Sequence, residues 1–225
     1  MEHKQVMMLA CSALRREITL IMEEENLHYP VFYLPDELHL TPEKLNAYLC
    51  DFIPRLTGVD YLLLPMGRCG NGTAGIPSGE ATIVLPKCED CISLLLSREN
   101  LASVERPKYS YFFTDSWLDT STSFLREFEH SLDKYGQSRG ERVIRAMYKN
   151  YKYFTYIDTG CGNFETAAAR VQPFTKLIDV EIVTLAAHFG VLRKMLTLNF
   201  NESDPDFLLV PPGQKASFDP VLAAR

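Results

Sequence analysis

Residues 60–91, DYLLLPMGRCGNGTAGIPSGEATIVLPKCEDC, decide the fold class of this chain. Two apolar runs, YLLL and TIVL, each end in proline and lead into a loop with cysteine. Cys69 follows the first run, and Cys88 and Cys91 follow the second. Uninterrupted apolar runs of this length are typical of strands buried on both faces of a parallel sheet. The carboxyl ends of parallel strands share one rim, so this stretch predicts that the thiols lie along the same rim.

The same alternation of short apolar runs and amphipathic segments extends through the chain. Eight strands are predicted, at residues 5–10, 30–34, 59–64, 82–85, 109–113, 153–157, within 176–184, and at 207–210. Helices are predicted between them, at residues 13–25, 42–55, 90–97, 118–135, 140–149, 164–171 and 185–198. This order predicts an α/β fold, Rossmann-like, with largely parallel sheet and helices on both faces. We predict a single domain over residues 1–225, in which two wound sub-halves would be residues 1–115 and 150–213 with a helical insertion at 116–150.

Composition excludes several classes of partner. The formal net charge of -6 argues against nucleic acid or an anionic membrane surface, because both require a basic footprint. No apolar run is long enough to span a membrane, and the apolar start at residues 6–10 is too short for a signal peptide. We therefore expect a cytoplasmic protein. In that reducing compartment the six cysteines would be core residues, metal ligands or reactive thiols rather than disulfides.

Cysteines follow at least four of the predicted strands, at Cys11, Cys69, Cys88 with Cys91, and Cys161. Thiolates that converge from distant parts of a chain suit a soft metal such as zinc or an iron–sulfur cluster. Three such ligands would leave one coordination position open for a substrate. The alternative interpretation is that these cysteines are small core residues at strand ends.

Two glycine-rich loops are candidate ligand-binding segments, and each is equally well explained as a turn-rich connection. Their candidate contact residues are Gly67, Gly70, Asn71, Gly72, Gly160 and Gly162. Backbone N–H groups in such loops can bind an anion, and Arg68 adds a fixed positive charge. Neither loop has the spacing of a known nucleotide motif. His39, in the loop after the second strand, is a candidate for proton transfer.

Seven segments occur in an order that resembles a known family. They are ACSALRREI, LHLTPEKL, GRCGNGTAGI, LPKCEDCISLLLSRE, YFFTDSWL, YIDTG and VPPG, and the resemblance covers Leu9 to Gly213. Together they resemble the bacterial and archaeal family DUF1638, a domain of unknown function. The resemblance implies that Cys11, Cys69 and Cys91 are the recurring cysteines, with Cys161 or Cys88 as a candidate fourth ligand. The chain departs from the family pattern at Glu89, where a histidine is common, and Glu89 is kept as a candidate catalytic residue.

The resemblance also implies a metabolic setting, because members are often encoded near corrinoid-dependent methyltransferases. The first hypothesis is therefore an iron–sulfur or other metal-binding protein acting on a small molecule in anaerobic methyl, sulfur or corrinoid metabolism. A transferase or lyase is the expected enzyme class, with a corrinoid protein or methyltransferase as a candidate partner and a homo-oligomer left open. One alternative is a metal-free small-ligand-binding accessory protein with structural cysteines. Another is a thiol redox protein using Cys88 and Cys91, although Glu89 and Asp90 would oppose thiolate formation there.

Overall fold

The computed structural model describes residues 4–218, which form a mixed α/β fold with two mostly parallel sheets, as predicted. Every predicted strand is present, with bounds that differ by a few residues. The strands are β1 (Val6–Cys11), β2 (Val31–Leu34), β3 (Tyr61–Leu63), β4 (Thr82–Pro86), β5 (Ser110–Phe113), β6 (Tyr153–Asp158), β7 (Glu181–Ala186) and β8 (Phe207–Val210). Their apolar residues contribute to two buried cores.

Most helices lie in the predicted intervals, but the helix predicted at 118–135 is divided into two that are separated by residues 119–123. Two further corrections fall near the carboxyl end. The helices are α1 (Arg15–Glu24), α2 (Pro42–Phe52), α3 (Ile92–Leu96), α4 (Asp115–Leu118), α5 (Phe124–Tyr135), α6 (Gln137–Tyr148), α7 (Phe164–Ile178) and α8 (Gly190–Leu196). The prediction that α7 ends at Val171 is wrong, because the helix continues through Pro173 to Ile178. Its buried face extends beyond the proline at Phe174 and Thr175, and this burial outweighs the one backbone hydrogen bond that proline removes.

That longer helix shifts the elements that follow. Strand β7 begins only at Glu181, and it extends to Ala186 across residues that were expected to start the last helix. Helix α8 therefore begins at Gly190 rather than at Leu185. Period-2 and period-3.6 patterns overlap in such short apolar segments, so the sequence does not fix the boundary between strand and helix.

The chain divides into two compact units. One contains the residues up to Val104 and those from His188 onward, and the other is Glu105–Ala187. The first unit holds a five-stranded sheet in the order β2-β1-β3-β4-β8, in which β8 alone is antiparallel. The chain runs from β1 outward to β2 and then returns to β3 on the other side of β1. Open α/β sheets bind ligands at such a reversal of direction, in the crevice beyond the carboxyl ends of the strands.

The second unit holds the parallel sheet β5-β6-β7 and a core dominated by aromatic rings. Phe124 contacts Phe154 and Phe174 with ring centroids 5.1 and 4.9 Å apart, and all three side chains are almost completely buried. Edge-to-face and tilted ring pairs of this kind stabilise a core beyond the burial of area alone. The single-domain prediction concerned the whole of residues 1–225 and stays a prediction.

Candidate functional site

Three cysteines follow three neighbouring strands of the first sheet. Cys11 is the last residue of β1, Cys69 lies in the loop after β3, and Cys91 caps the start of α3 after β4. Strand β3 pairs in parallel with β1 on one side and with β4 on the other. All three thiols are free and partly buried. They therefore follow one rim of one sheet, at the reversal of direction between β1 and β3.

The three thiols are electrostatic neighbours. Burial, and next the negative charge at Cys11, raise the pKa of Cys69 to about 12. Burial also raises the pKa of Cys91 well above its ordinary value, with additional contributions from Asp90, Cys11 and Cys69. Each of these thiols is thus close enough to the others for one thiolate to disfavour the next. The pKa of Cys11 is raised as well, first by burial, so all three shifts favour the neutral thiol.

Three thiols and a nearby imidazole are the donor types that zinc and iron–sulfur clusters prefer. Within residues 4–218, no group of three or more His, Cys, Asp or Glu side chains is arranged to hold a metal ion. The donor types thus fit a thiophilic metal in chemistry, but their arrangement does not bring three of them to one ion. Ligation would require the thiols to turn toward a common point.

His39 lies beside Cys11 and joins the cluster formed by Cys11, Cys69 and Cys91. It lies in the short 3-10 turn Asp36–Leu40 that follows β2, and its Nδ1 atom is 3.5 Å from the sulfur of Cys11. Desolvation lowers the pKa of the imidazole, while the charges of Asp36 and Asp90 oppose that shift. Asp36 accepts a hydrogen bond from the hydroxyl of Ser12, the residue after Cys11.

Sequence reasoning missed Asp36 and Asp90 as members of this cluster. Both positions carry a usable signal, because Asp36 is the first acidic residue after β2 and Asp90 lies between Cys88 and Cys91. A serine just before a helix commonly caps it. The hydroxyl of Ser12 donates to Asp36 instead, and α1 starts only at Arg15. The competing partner is a charged acceptor, which forms the stronger hydrogen bond.

The loops that carry Cys69 and Cys91 are joined backbone to backbone. The backbone amide of Arg68 donates to the carbonyl oxygen of Cys88 at 2.8 Å. The backbone amide of Cys69 donates to the carbonyl oxygen of Glu89 at the same distance. These two hydrogen bonds are called the backbone clamp below. Gly67 allows this approach, since a Cβ atom at that position would lie 2.4 Å from the carbonyl oxygen of Cys88. The glycine is therefore required for close contact between two chain segments.

The other glycines of this loop pack against α2. A Cβ atom at Gly70 would lie 2.8 Å from the ring of Pro42, and one at Gly72 would lie 2.8 Å from the side chain of Leu45. The side-chain amide of Asn46 donates to the backbone carbonyl of Gly72 at 3.3 Å. Packing on α2 thus accounts for both glycines, and their role in ligand binding stays a prediction.

Polar side chains surround the backbone clamp, the two hydrogen bonds that join the loops of Cys69 and Cys91. Arg68 donates to the side-chain oxygen of Asn71 at 2.7 Å and lies 3.6 Å from the carboxylate of Glu89. The thiol of Cys88 donates to the carbonyl of Asp90 at 3.2 Å. Cys88 lies outside α3, which begins at Ile92, so that helix does not present a Cys-x-x-Cys pair at its first turn.

The second glycine-rich loop lies in the second unit. Gly160 has a left-handed backbone with φ of 71°, and a Cβ atom at Gly162 would lie 1.9 Å from the buried carboxylate of Asp115. That carboxylate accepts a hydrogen bond from Tyr156 at 2.5 Å. Gly162 is thus explained by close packing. Cys161 follows a strand of the other sheet, so its role as a fourth ligand stays a prediction.

The amino-acid sequence was also compared with known proteins. Residues 33–196 match a family model described as "Protein of unknown function (DUF1638)", which is most of the chain. The chain belongs to this family. Its matched range includes His39, Cys69 and Cys91, whereas Cys11 precedes it. No curated protein and no solved structure matches this DUF1638 chain. Among residues 4–218, every helix is too short or too polar to cross a bilayer.

Proposed function

We propose that this DUF1638 protein binds a thiophilic metal, as an iron–sulfur cluster or as a single ion such as zinc, through Cys11, Cys69 and Cys91. A small molecule would approach the coordination position that three protein ligands leave open. The bound metal would supply Lewis acidity or a reducing electron. In this proposal His39 and Arg68 would serve that position, the imidazole by moving a proton and the guanidinium by holding an anion.

One observation carries this proposal: Cys11, Cys69 and Cys91 follow adjacent parallel strands at one rim, and the charges of Cys11 and Cys69 contribute to the raised pKa of Cys91. Burial raises the pKa of each thiol, which favours the protonated form while no metal is bound. A metal ion would displace those protons and remove the repulsion between neighbouring thiolates.

The thiol redox alternative receives less support. A redox Cys-x-x-Cys relies on a thiol with a lowered pKa at the first turn of a helix. Here the pKa of Cys91 is raised, first by burial and next by Asp90. Helix α3 contains only Ile92–Leu96, so its dipole is too short to reverse that shift.

The wider setting follows from the family resemblance. We extend the proposal to a cytoplasmic transferase or lyase in anaerobic methyl, sulfur or corrinoid metabolism, with a corrinoid protein or methyltransferase as its partner. The negative formal charge of -6 supports a small-molecule substrate rather than nucleic acid. Co-purification of a corrinoid protein from an anaerobic producer would support the partner assignment.

Metal content tests the central proposal directly. We expect protein purified without oxygen to contain metal in a fixed ratio to the chain, with thiolate-to-metal absorption if the metal is iron. Cys69→Ala and Cys91→Ala should each lose most of that metal, because each removes one of three ligands. Cys50→Ala is the matched control, since Cys50 is a partly buried thiol of α2 that hydrogen-bonds Asn46. A folded, metal-free wild type contradicts the proposal.

The contact between Cys11 and His39 favours a second candidate function, a metal-free enzyme with Cys11 as nucleophile. The imidazole is 3.5 Å from the thiol and the carboxylate of Asp36 is nearby, which is the order of groups in an activated cysteine. For this candidate we expect iodoacetamide to alkylate Cys11 faster than Cys50, and His39→Ala to slow that reaction. Equal alkylation rates in the two proteins, measured by peptide mass spectrometry, would eliminate it.

A further inference from the structure

The side chain of Arg68 is mostly buried, and its ion pair with Glu89 is long. Its side chain is 16% exposed, and its nearest carboxylate, on Glu89, is 3.6 Å away and 52% exposed. By contrast, Arg170 and Arg193 are more than one-third exposed, yet they make ion pairs of 3.0 and 2.7 Å. Removing a positive charge from water is unfavourable unless an acceptor replaces the water. The most buried of these three arginines is thus the least well neutralised.

The hydrogen bonds of Arg68 are also incomplete. One terminal nitrogen donates to the neutral side-chain oxygen of Asn71. The Nε atom is buried and has no acceptor among the residues that the structure describes. The ring of Phe218 lies 5.7 Å from the guanidinium carbon and covers it with an apolar surface. A buried guanidinium N–H without an acceptor marks a place where a negatively charged oxygen would bind.

The backbone of Arg68 is fixed in the loop that carries Cys69. The amide of Arg68 is bound to the carbonyl of Cys88, and its carbonyl accepts from the amide of Thr73 at 3.4 Å. The following residue is Cys69, and the same clamp joins the loop of Cys91. An anion held by Arg68 would therefore bind to the same loop that carries Cys69.

We propose that Arg68 binds the carboxylate or phosphoryl group of the small molecule that reaches the three thiols. The place of this substrate rests on the proposed function, but the binding of its anionic group needs no metal. The planar fork of arginine matches both kinds of oxyanion. Glu89 competes for the same guanidinium in the free protein, and its exposed carboxylate can turn into solvent when the anion binds.

A merely structural Arg68 would behave differently. If its role were to join the loop through Glu89, then Glu89→Gln would only lower stability. If Glu89 competes with an oxyanion, the same substitution should tighten anion binding several-fold. This readout separates the two interpretations even if direct substitutions of Arg68 perturb folding.

The test uses inorganic phosphate and acetate as separate probes, titrated calorimetrically into the anaerobically purified full chain at constant ionic strength set with chloride. We expect saturable binding of at least one probe, which identifies the group as phosphoryl or carboxylate. Arg68→Lys should weaken it about tenfold, the factor for one charge-assisted hydrogen bond. Arg193→Lys, the matched control, should not change it. Absence of saturable binding, or equal binding to Arg68→Lys, would overturn the inference.

Metal analysis of the same samples separates this inference from the proposed function. Metal-free wild type that binds the anion through Arg68 would refute the metal proposal and support the anion site. Metal-loaded wild type that binds neither probe would support the metal proposal and refute the anion site. We expect Arg68→Lys to retain its metal, because the guanidinium is not a ligand.

Discussion

Replacing Gly67 by alanine is expected to separate the loops that carry Cys69 and Cys91 and to lower the melting temperature. The new Cβ atom would lie 2.4 Å from the carbonyl oxygen of Cys88 and 2.6 Å from the amide nitrogen of Asp90. These are backbone atoms, so no side-chain rotation can relieve the contact. The loops would have to move apart and stretch the two hydrogen bonds between them.

The expected loss of stability is about 3–5 kcal/mol, from overpacking together with two weakened backbone hydrogen bonds. For a chain of this size, the melting temperature should fall by about 10 °C. Bound metal should decrease as well, because Cys69 and Cys91 are carried by the separated loops. Circular dichroism on heating and metal analysis measure the two effects.

Gly75→Ala provides the control within the same loop. Gly75 has a left-handed backbone with φ of 71°, but a Cβ atom there would meet nothing within 4 Å. Alanine at this position introduces backbone strain of about 1–2 kcal/mol and leaves the clamp intact. If Gly67→Ala melts at the same temperature as Gly75→Ala and keeps its metal, then the backbone clamp does not hold the site together.

The rim of the first sheet that Cys11, Cys69 and Cys91 follow shows how much of the site could be predicted from the sequence. Apolar runs that end in proline and lead to cysteine locate β3 and β4. Strands buried on both faces are continuous apolar runs, so each can be found in the sequence without knowing which strand it pairs with. The sequence could not give the order of the strands. Pairing of β3 with both β1 and β4 depends on long-range contacts, and only that pairing places Cys11 beside Cys69.

Other features lay beyond sequence reasoning for the same physical reason. The antiparallel pairing of β8 with β4 requires the chain to leave the first unit and return, which no local pattern encodes. The glycines of the first loop suggested a ligand cradle, but Gly67 is required by a contact with a segment distant in the sequence. The buried Asp115 beside Gly162 is a similar case, because a close approach between two loops leaves no periodic signal.

Gly190→Ala should be the most damaging single substitution argued for this protein. Gly190 starts α8 where that helix meets the end of α3, and a Cβ atom there would lie 1.5 Å from the carbonyl oxygen of Arg98. The amide of Gly190 donates to the carbonyl of Ser97 at 2.7 Å, and the amide of Val191 donates to the Ser97 hydroxyl at 3.0 Å. Relief of the clash would break both hydrogen bonds.

The displacement would also expose apolar surface, because α8 contributes four completely buried side chains to the first unit: Val191, Leu192, Met195 and Leu196. We therefore expect a loss above about 4 kcal/mol, in the range reached by few point mutations, seen as a much lower melting temperature or as insoluble protein. Gly58→Ala is the control, since a Cβ atom there meets nothing within 4 Å. Equal melting temperatures for the two variants would show that α8 can shift on α3 without loss, and that the contact with Arg98 does not fix the helix.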